Sequence, residues 1–203
     1  MVYFIFQIRQ YVIEPAFPRH IQKRSKYLTC GAKIAIYHVL EYICGKMMPE
    51  LKLPQFTCRI RYRKDGKEEI HDPVRRKFVR LTQEEWVRQH FINFMVNHHG
   101  YPASLLHIEA PISYNHLSKR SDIVVYGNYG KPLMAVECKA PTVDISQKVF
   151  DQLAMYNFTL KVSYLTLTNG MQHYVCRMEP DKGTYAFLQE FPAYTELQQQ
   201  FHD

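Results

Sequence analysis

Neither a Cys-x-x-Cys pair nor a Cys/His spacing suited to a structural zinc site occurs in the 203 residues. The five cysteines are odd in number and scattered, which argues against a disulfide framework and for reduced thiols in a cytoplasmic protein. No apolar run reaches the length of a membrane span, so no membrane partner is expected. The opening MVYFIF is too short, and lacks the basic lead, for a secretory signal. No G-x-x-x-x-G-K-[ST] sequence is present to cradle nucleotide phosphates, so no ATP site is expected in this chain. Internal repeats and low-complexity blocks are also missing.

What is present is globular in character. Apolar residues make up 46% of the chain and aromatic residues 14%, enough for one domain with a substantial core. The net charge of +7 raises the question of a nucleic-acid partner. Its distribution weakens the case. Residues 1–46 carry seven Lys/Arg against Glu14 and Glu41, whereas the remaining 157 residues hold 19 basic and 17 acidic side chains. That opening segment also lacks turn and capping grammar. The expectation is therefore an N-terminal arm, or an over-called upstream extension, over 1–46, and a single domain over 47–203.

From residue 56 the patterns become orderly. FTCRIRYR (56–63) alternates as a strand, Lys64-Asp65-Gly66-Lys67 reads as a hairpin turn, and Glu68–His71 returns. Asp72-Pro73 ends this small antiparallel unit, and Arg75-Arg76-Lys77 reads as a solvated loop. Thr82 and Glu85 form a capping box for a helix running to about Asn97. Trp86, Val87, His90, Phe91, Phe94 and Met95 recur at helical spacing, and Gly100 closes the helix. The His98-His99 pair reads as helix-terminal cations and not as metal ligands. Leu105–Ile112 reads as a strand.

A second capping box, Asp144 to Gln147, is expected to start a helix reaching about Leu160, with Ile145, Val149, Leu153, Tyr156 and Leu160 as its apolar stripe. Gln152 and Tyr156 lie four apart and share a face of it. Val162–Thr168, His173–Met178 and Thr184–Gln189 read as further strands, and the Gln-rich end at 198–200 as a frayed tail.

The stretch 121–141, SDIVVYGNYGKPLMAVECKAP, carries the chemistry. Ile123–Tyr126 and Leu133–Cys138 alternate on either side of a turn in which Gly130 can take positive φ. A two-residue loop at Tyr129-Gly130 pairs Asn128 with Lys131 and sets Asp122 opposite Glu137. Glu137 and Lys139 share a face, and Cys138 points the other way into the core. Directly opposed Cβ atoms lie about 5 Å apart, where like charges repel. A divalent cation held by carboxylate oxygens accounts for the pairing, with the lysine beside it for a charged substrate. The competing reading is a cross-strand Asp–Lys or Glu–Lys pair on a solvated face, and a one-residue slip of the turn would move Asp122 to the other side.

The order helix, strand, hairpin with Asp and Glu-x-Lys, helix with Gln-x-x-x-Tyr, strand resembles the PD-(D/E)xK nuclease superfamily. It looks more closely like the N-terminal nuclease domain of type I restriction enzyme R subunits. Thr82–Gln89 (TQEEWVRQ), Ser121-Asp122, Val136–Pro141 (VECKAP) and Gln152 to Tyr156 carry the likeness, which spans roughly residues 50–180. Ser121 stands where the superfamily has Pro, and residues 1–46 have no counterpart.

The resemblance implies an α/β, restriction-endonuclease-like core: a mixed central β-sheet flanked by helices, with a small N-terminal antiparallel β unit. It further implies a bacterial endonuclease of restriction–modification that cleaves DNA with Mg2+ or Mn2+. Asp122 and Glu137 would bind the ion, with the Cys138 carbonyl as a further ligand and Glu85 as a candidate from the first helical turn. Lys139 would orient water or offset charge, and Gln152 and Tyr156 would position the substrate backbone or buttress the site. In this family other subunits or modules supply recognition and the ATP-driven motor. Two further classes stay open: a nucleic-acid-binding or partner-docking module without turnover, and a non-nucleolytic protein in which the acidic cluster is incidental.

Overall fold

The computed structural model describes residues 11–13, 48–114, 117–127, 130–160 and 162–199, with the backbone alone described at 11–13, 111–114, 117–120, 152, 155–160 and 199. Two sheets share one helix. In the smaller, β1 (Tyr11–Ile13) lies parallel to β2 (Cys58–Tyr62), and β2, β3 (Glu68–Asp72) and β4 (Lys77–Arg80) follow as an antiparallel meander. The Asp-Gly turn forms as its residues require, with Gly66 at φ 78° and Arg63 N donating to Lys67 O at 2.8 Å. Strand β4 departs from the expected solvated loop over Arg75–Lys77. Lys77 opens β4, and Arg75 turns inward to 13% side-chain exposure because buried carboxylates collect its guanidinium.

Helix α1 (Gln83–His98) begins as the sequence requires, with Thr82 Oγ1 accepting from Glu85 N at 3.1 Å. The return half of the capping box is absent, since the Glu85 carboxylate is spent elsewhere. His99 caps the far end and Gly100 follows at φ 70°. Residues 85–92 of α1 are all buried because the helix lies between the two sheets. On one side Trp86 completes the core of Cys58, Ile70 and Leu81, and its Nε1 donates to Pro49 O at 3.0 Å. On the other, Val87, Phe91, Ile92 and Met95 pack on the larger sheet.

That sheet has the order β10-β9-β8-β7-β6-β5. Its members are β5 (Leu106–Tyr114), β6 (Leu117–Tyr126), β7 (Pro132–Cys138), β8 (Tyr164–Thr168), β9 (His173–Glu179) and β10 (Thr184–Phe187). Only β7 and β8 run parallel, joined by the crossover through α2 (Gln147–Leu160); the other neighbours are antiparallel. Alternation sorts the side chains into two layers. Ile123, Val125, Met134 and Val136 meet α1, while Val124, Ala135, Leu165 and Leu167 meet Phe150 and Ala154 of α2. The fold is thus α/β, a mixed sheet flanked by helices with a small antiparallel unit beside it. Among the described residues no helix is long and apolar enough to cross a membrane.

Three local expectations need correction. The first turn of α2 is closed by Ser146, whose Oγ accepts from Val149 N at 3.4 Å, and not by the exposed Asp144. Residues Tyr194–Gln199 are helical, held by buried Tyr194 and Leu197, where 198–200 was expected to fray; Gln200 lies outside the described residues. The β6–β7 connection is also longer than two residues. Gly127 N donates to Lys131 O at 2.9 Å and Gly130, at φ 72°, donates to Gly127 O at 3.0 Å. The expected partner Asn128 lies outside the described residues. A bulge between Val125 and Tyr126 absorbs the extra residue, as three-residue hairpin loops commonly do.

Candidate functional site

Beyond that bulge the register is the one expected. Ile123 faces Val136, Val124 faces Ala135 and Val125 faces Met134, so the next step along the ladder sets Asp122 against Glu137. On its other edge β6 pairs Ile108 with Ile123 and Ala110 with Ser121, which places Glu109 at the level of Asp122. Three carboxylates, Glu109, Asp122 and Glu137, therefore form a row across β5, β6 and β7. Glu109 interrupts its ladder at φ 53°, a left-handed conformation that costs a non-glycine residue on the order of 1–3 kcal/mol.

Each carboxylate is held. Asp122 Oδ2 accepts from the Cys138 amide at 2.7 Å and Oδ1 from Arg88 Nη2 at 2.6 Å. Glu137 Oε1 accepts from Lys139 Nζ at 3.0 Å. Arg88 Nη1 also donates to Glu85 Oε2 and lies 3.9 Å from Glu109 Oε1. The same helix supplies Gln89, whose Nε2 donates to Glu85 Oε1 at 2.8 Å.

A second arginine comes from the β3–β4 turn. Arg75 donates to Glu85 Oε1 at 2.9 Å, Glu109 Oε2 at 2.7 Å and Asp72 Oδ2 at 2.5 Å. Asp72, fully buried, also accepts from the amides of Val74 and Arg75, both at 2.8 Å. The smaller sheet thereby reaches into the site through one guanidinium. A cleft of about 400 Å³, lined by Arg75, Lys77, Arg80, Glu84, Glu85 and Arg88, opens between β4 and the start of α1.

Electrostatics fix the roles open to the cations and the thiol. Burial pulls the Lys139 ammonium down, but the hydrogen bond and charge of Glu137, with Asp122 and Glu84, outweigh it and leave the pKa raised. Burial likewise opposes the charge of Arg88, and Asp122 and Glu85 more than restore it. Both side chains are cations at neutral pH. Cys138 is pushed up, by burial first and then by Asp122, and stays a thiol in the core.

The structure joins Asp122 and Glu85 in one network through Arg88, with Arg75 bonded to the same Glu85, and sets the Glu137–Lys139 pair beside it, where Lys139 feels the charge of Asp122. Glu85 is less a capping residue than the hinge of that network. Cys138 enters through its N–H. Gln152 and Tyr156 both fall within α2, but their side chains lie outside the described residues. Sequence reasoning missed Arg75, Arg88, Glu109 and Asp72. The one available signal was Arg88 itself, a charge inside a helical stretch whose neighbours Trp86, Val87, Phe91 and Ile92 leave it no solvated face.

Asp122 and Glu137 offer carboxylate oxygens on adjoining strands, the donor type a hard divalent cation takes. The Arg88 guanidinium, seated among Glu85, Asp122 and Glu109, shows that these carboxylates gather positive charge. Among the described residues no three Asp, Glu, His or Cys side chains converge as a ready ligand set, and Arg88 holds Asp122 Oδ1.

Residues 83–192, more than half of the chain, match the family model described as type I restriction enzyme R protein N terminus. Among solved structures the chain is similar to the fragment structure of an HsdR subunit assigned to a type I restriction enzyme from Vibrio vulnificus YJ016. The identity is 18% and the TM-score 0.43, over 60% of this chain and 25% of that one, so the chain spans about a quarter of that relative. No curated protein matches.

Proposed function

The chain belongs to the type I restriction enzyme R protein N-terminal family, and from that premise we propose that it is a metal-dependent endonuclease module acting on DNA phosphodiester bonds. The observation that supports this reading most is the β6–β7 register, Ile123 against Val136, whose next step sets Asp122 opposite Glu137, with Lys139 bonded to Glu137. Asp122 and Glu137 would hold Mg2+ or Mn2+, with the Cys138 carbonyl as a further oxygen and Glu85 as a candidate from α1. Such an ion, when bound, lowers the pKa of a water and draws charge from the scissile phosphate.

The chain's own groups do the rest. The Cys138 N–H fixes the rotamer of Asp122, and Lys139 orients Glu137. Lys139 would orient the attacking water or offset negative charge building on the phosphate oxygens. Gln152 and Tyr156, on one face of α2, are assigned contacts to the substrate backbone. Lys77 and Arg80, exposed beside the cleft, add phosphate-neutralising charge. Hydrolysis breaks one P–O bond, water giving its hydroxyl to phosphorus and its other proton to the leaving oxygen. Site recognition and motor function would fall to other modules or subunits.

The Arg88–Asp122 pair favours a second reading, a module that binds nucleic acid or docks a partner without turnover. Incubating the full chain with supercoiled plasmid and Mg2+ or Mn2+, beside Asp122→Asn and Lys139→Ala, separates the two. Metal-dependent nicking lost in both variants supports the nuclease. DNA binding by all three proteins with no nicking supports the silent module.

A further inference from the structure

The two arginines of the network differ in one respect. Arg75 engages a carboxylate with each of its three nitrogens, Nε to Asp72, Nη1 to Glu109 and Nη2 to Glu85. Arg88 does not. Its Nε is buried without any acceptor, although the side chain is only 8% exposed and both Nη atoms are paired. A buried donor left unmade is a standing cost, so the Arg88 arrangement is the poorer of the two and the easier to exchange. Its anchors are unequal as well. Glu85 belongs to the same helix, one turn earlier, whereas Asp122 belongs to the sheet and is one of the two carboxylates that would hold a metal ion.

We infer that Arg88 is a resident counter-cation on Asp122, which a divalent ion must displace, so that this side chain sets the metal affinity of the site. The inference rests on the nuclease reading of Asp122 and Glu137 and concerns the regulation of that site. A guanidinium 2.6 Å from Asp122 Oδ1 and a divalent ion on the same carboxylate repel each other. Whatever free energy the ion pair contributes is therefore subtracted from ion binding, by linkage. Released from Asp122, Arg88 stays tethered to Glu85. Glu109, whose Oε2 already accepts from Arg75, lies 3.9 Å from Arg88 Nη1 through Oε1 and offers the released guanidinium an alternative partner within reach.

The test is Mn2+ binding to the full chain, followed by electron paramagnetic resonance and by the Mn2+-induced rise in Tm. The proteins are wild type, Arg88→Gln, Arg88→Lys and Asp122→Asn. Arg88→Gln is expected to bind Mn2+ at least tenfold tighter than wild type and to gain the larger rise in Tm. Arg88→Lys, which keeps the charge and the fold but cannot bridge two carboxylates in the same geometry, should fall between them. Equal or weaker binding by Arg88→Gln, or by Arg88→Lys should the glutamine variant not fold, overturns the inference and makes Arg88 a positioning residue for Asp122. If wild type binds Mn2+ and Asp122→Asn binds it equally well, the metal reading of the site fails first, and the inference with it. Because binding is read without turnover, a chain that binds Mn2+ but never cuts DNA can still bear out the inference.

Discussion

Asp72→Ala should damage the protein far more than its distance from the reacting atoms suggests. The carboxylate is fully buried and accepts three hydrogen bonds: two amides at 2.8 Å and Arg75 Nε at 2.5 Å. The amides belong to the β3–β4 turn, which Arg76 enters at φ 52°, so the turn has little stability of its own. Removing one partner of a buried ion pair costs about 3–5 kcal/mol. The turn is half-exposed and water can replace part of what its amides lose, which favours the lower end, about 3 kcal/mol. For a domain of this size that is a fall in Tm of about 6–12 °C. Asp72→Asn keeps an oxygen for the two amides and loses only the charge toward Arg75, so about 1–2 kcal/mol is expected. Urea unfolding at constant m-value measures each cost. A double-mutant cycle with Arg75→Met isolates the ion pair, and Asp72→Ala should cost about 1–2 kcal/mol less in that background. A cost within 1 kcal/mol of wild type, or the same cost in both backgrounds, would refute the claim that Asp72 anchors Arg75 to the site.

Gly170→Ala should destabilise by about 2–4 kcal/mol in urea unfolding, because Gly170 sits at φ 80° and an added Cβ would meet Leu51 Cδ2 at 2.8 Å and Val87 Cγ2 at 3.2 Å. His90 is buried against Trp86, and burial depresses its pKa below the ordinary 6.5. The folded state then binds fewer protons than the unfolded state, so stability is constant above that value and is lost as pH falls below it. Tm measured from pH 7.5 to 5 should drop on the acid side, and more shallowly in His90→Phe, with His173 and His99, depressed in the same direction by burial, supplying the remaining slope. Tyr101→Phe removes the buried bond from Tyr101 Oη to Pro192 O at 2.9 Å and should cost about 1–2 kcal/mol in chemical denaturation.

The β6–β7 register was legible because alternation specifies it strongly. Ile123, Val124 and Val125 can bury two faces only one way against Met134, Ala135 and Val136, and Asp122 follows opposite Glu137. That held although the loop is a residue longer than two, because the bulge at Val125/Tyr126 returned the lost step. Glu85 was legible as a cap but only half so, since a capping sequence does not say that a buried carboxylate has a better partner than its own backbone. Arg75, Arg88 and Glu109 carry no periodic signal. They are charged residues in a turn, a helix and a strand, and only the meeting of two sheets on α1 makes them a network. Strand β4 of the small sheet hid for the same reason, because Arg75-Arg76-Lys77 reads as solvated until Asp72 turns Arg75 inward.

The account stands or falls on adjacent residues that face opposite ways, Cys138 buried in the α1 core at 1% exposure and Lys139 bonded to Glu137. Nicking of supercoiled plasmid in Mg2+ should be measured at 25 °C for wild type, Cys138→Ala and Lys139→Met, each at matched DNA occupancy. The expected result is a rate within a few-fold of wild type for Cys138→Ala, since its N–H still holds Asp122, and a loss of about 10²-fold or more for Lys139→Met. Nicking that survives in Lys139→Met, or that falls in both variants only in proportion to their loss of stability, would contradict it.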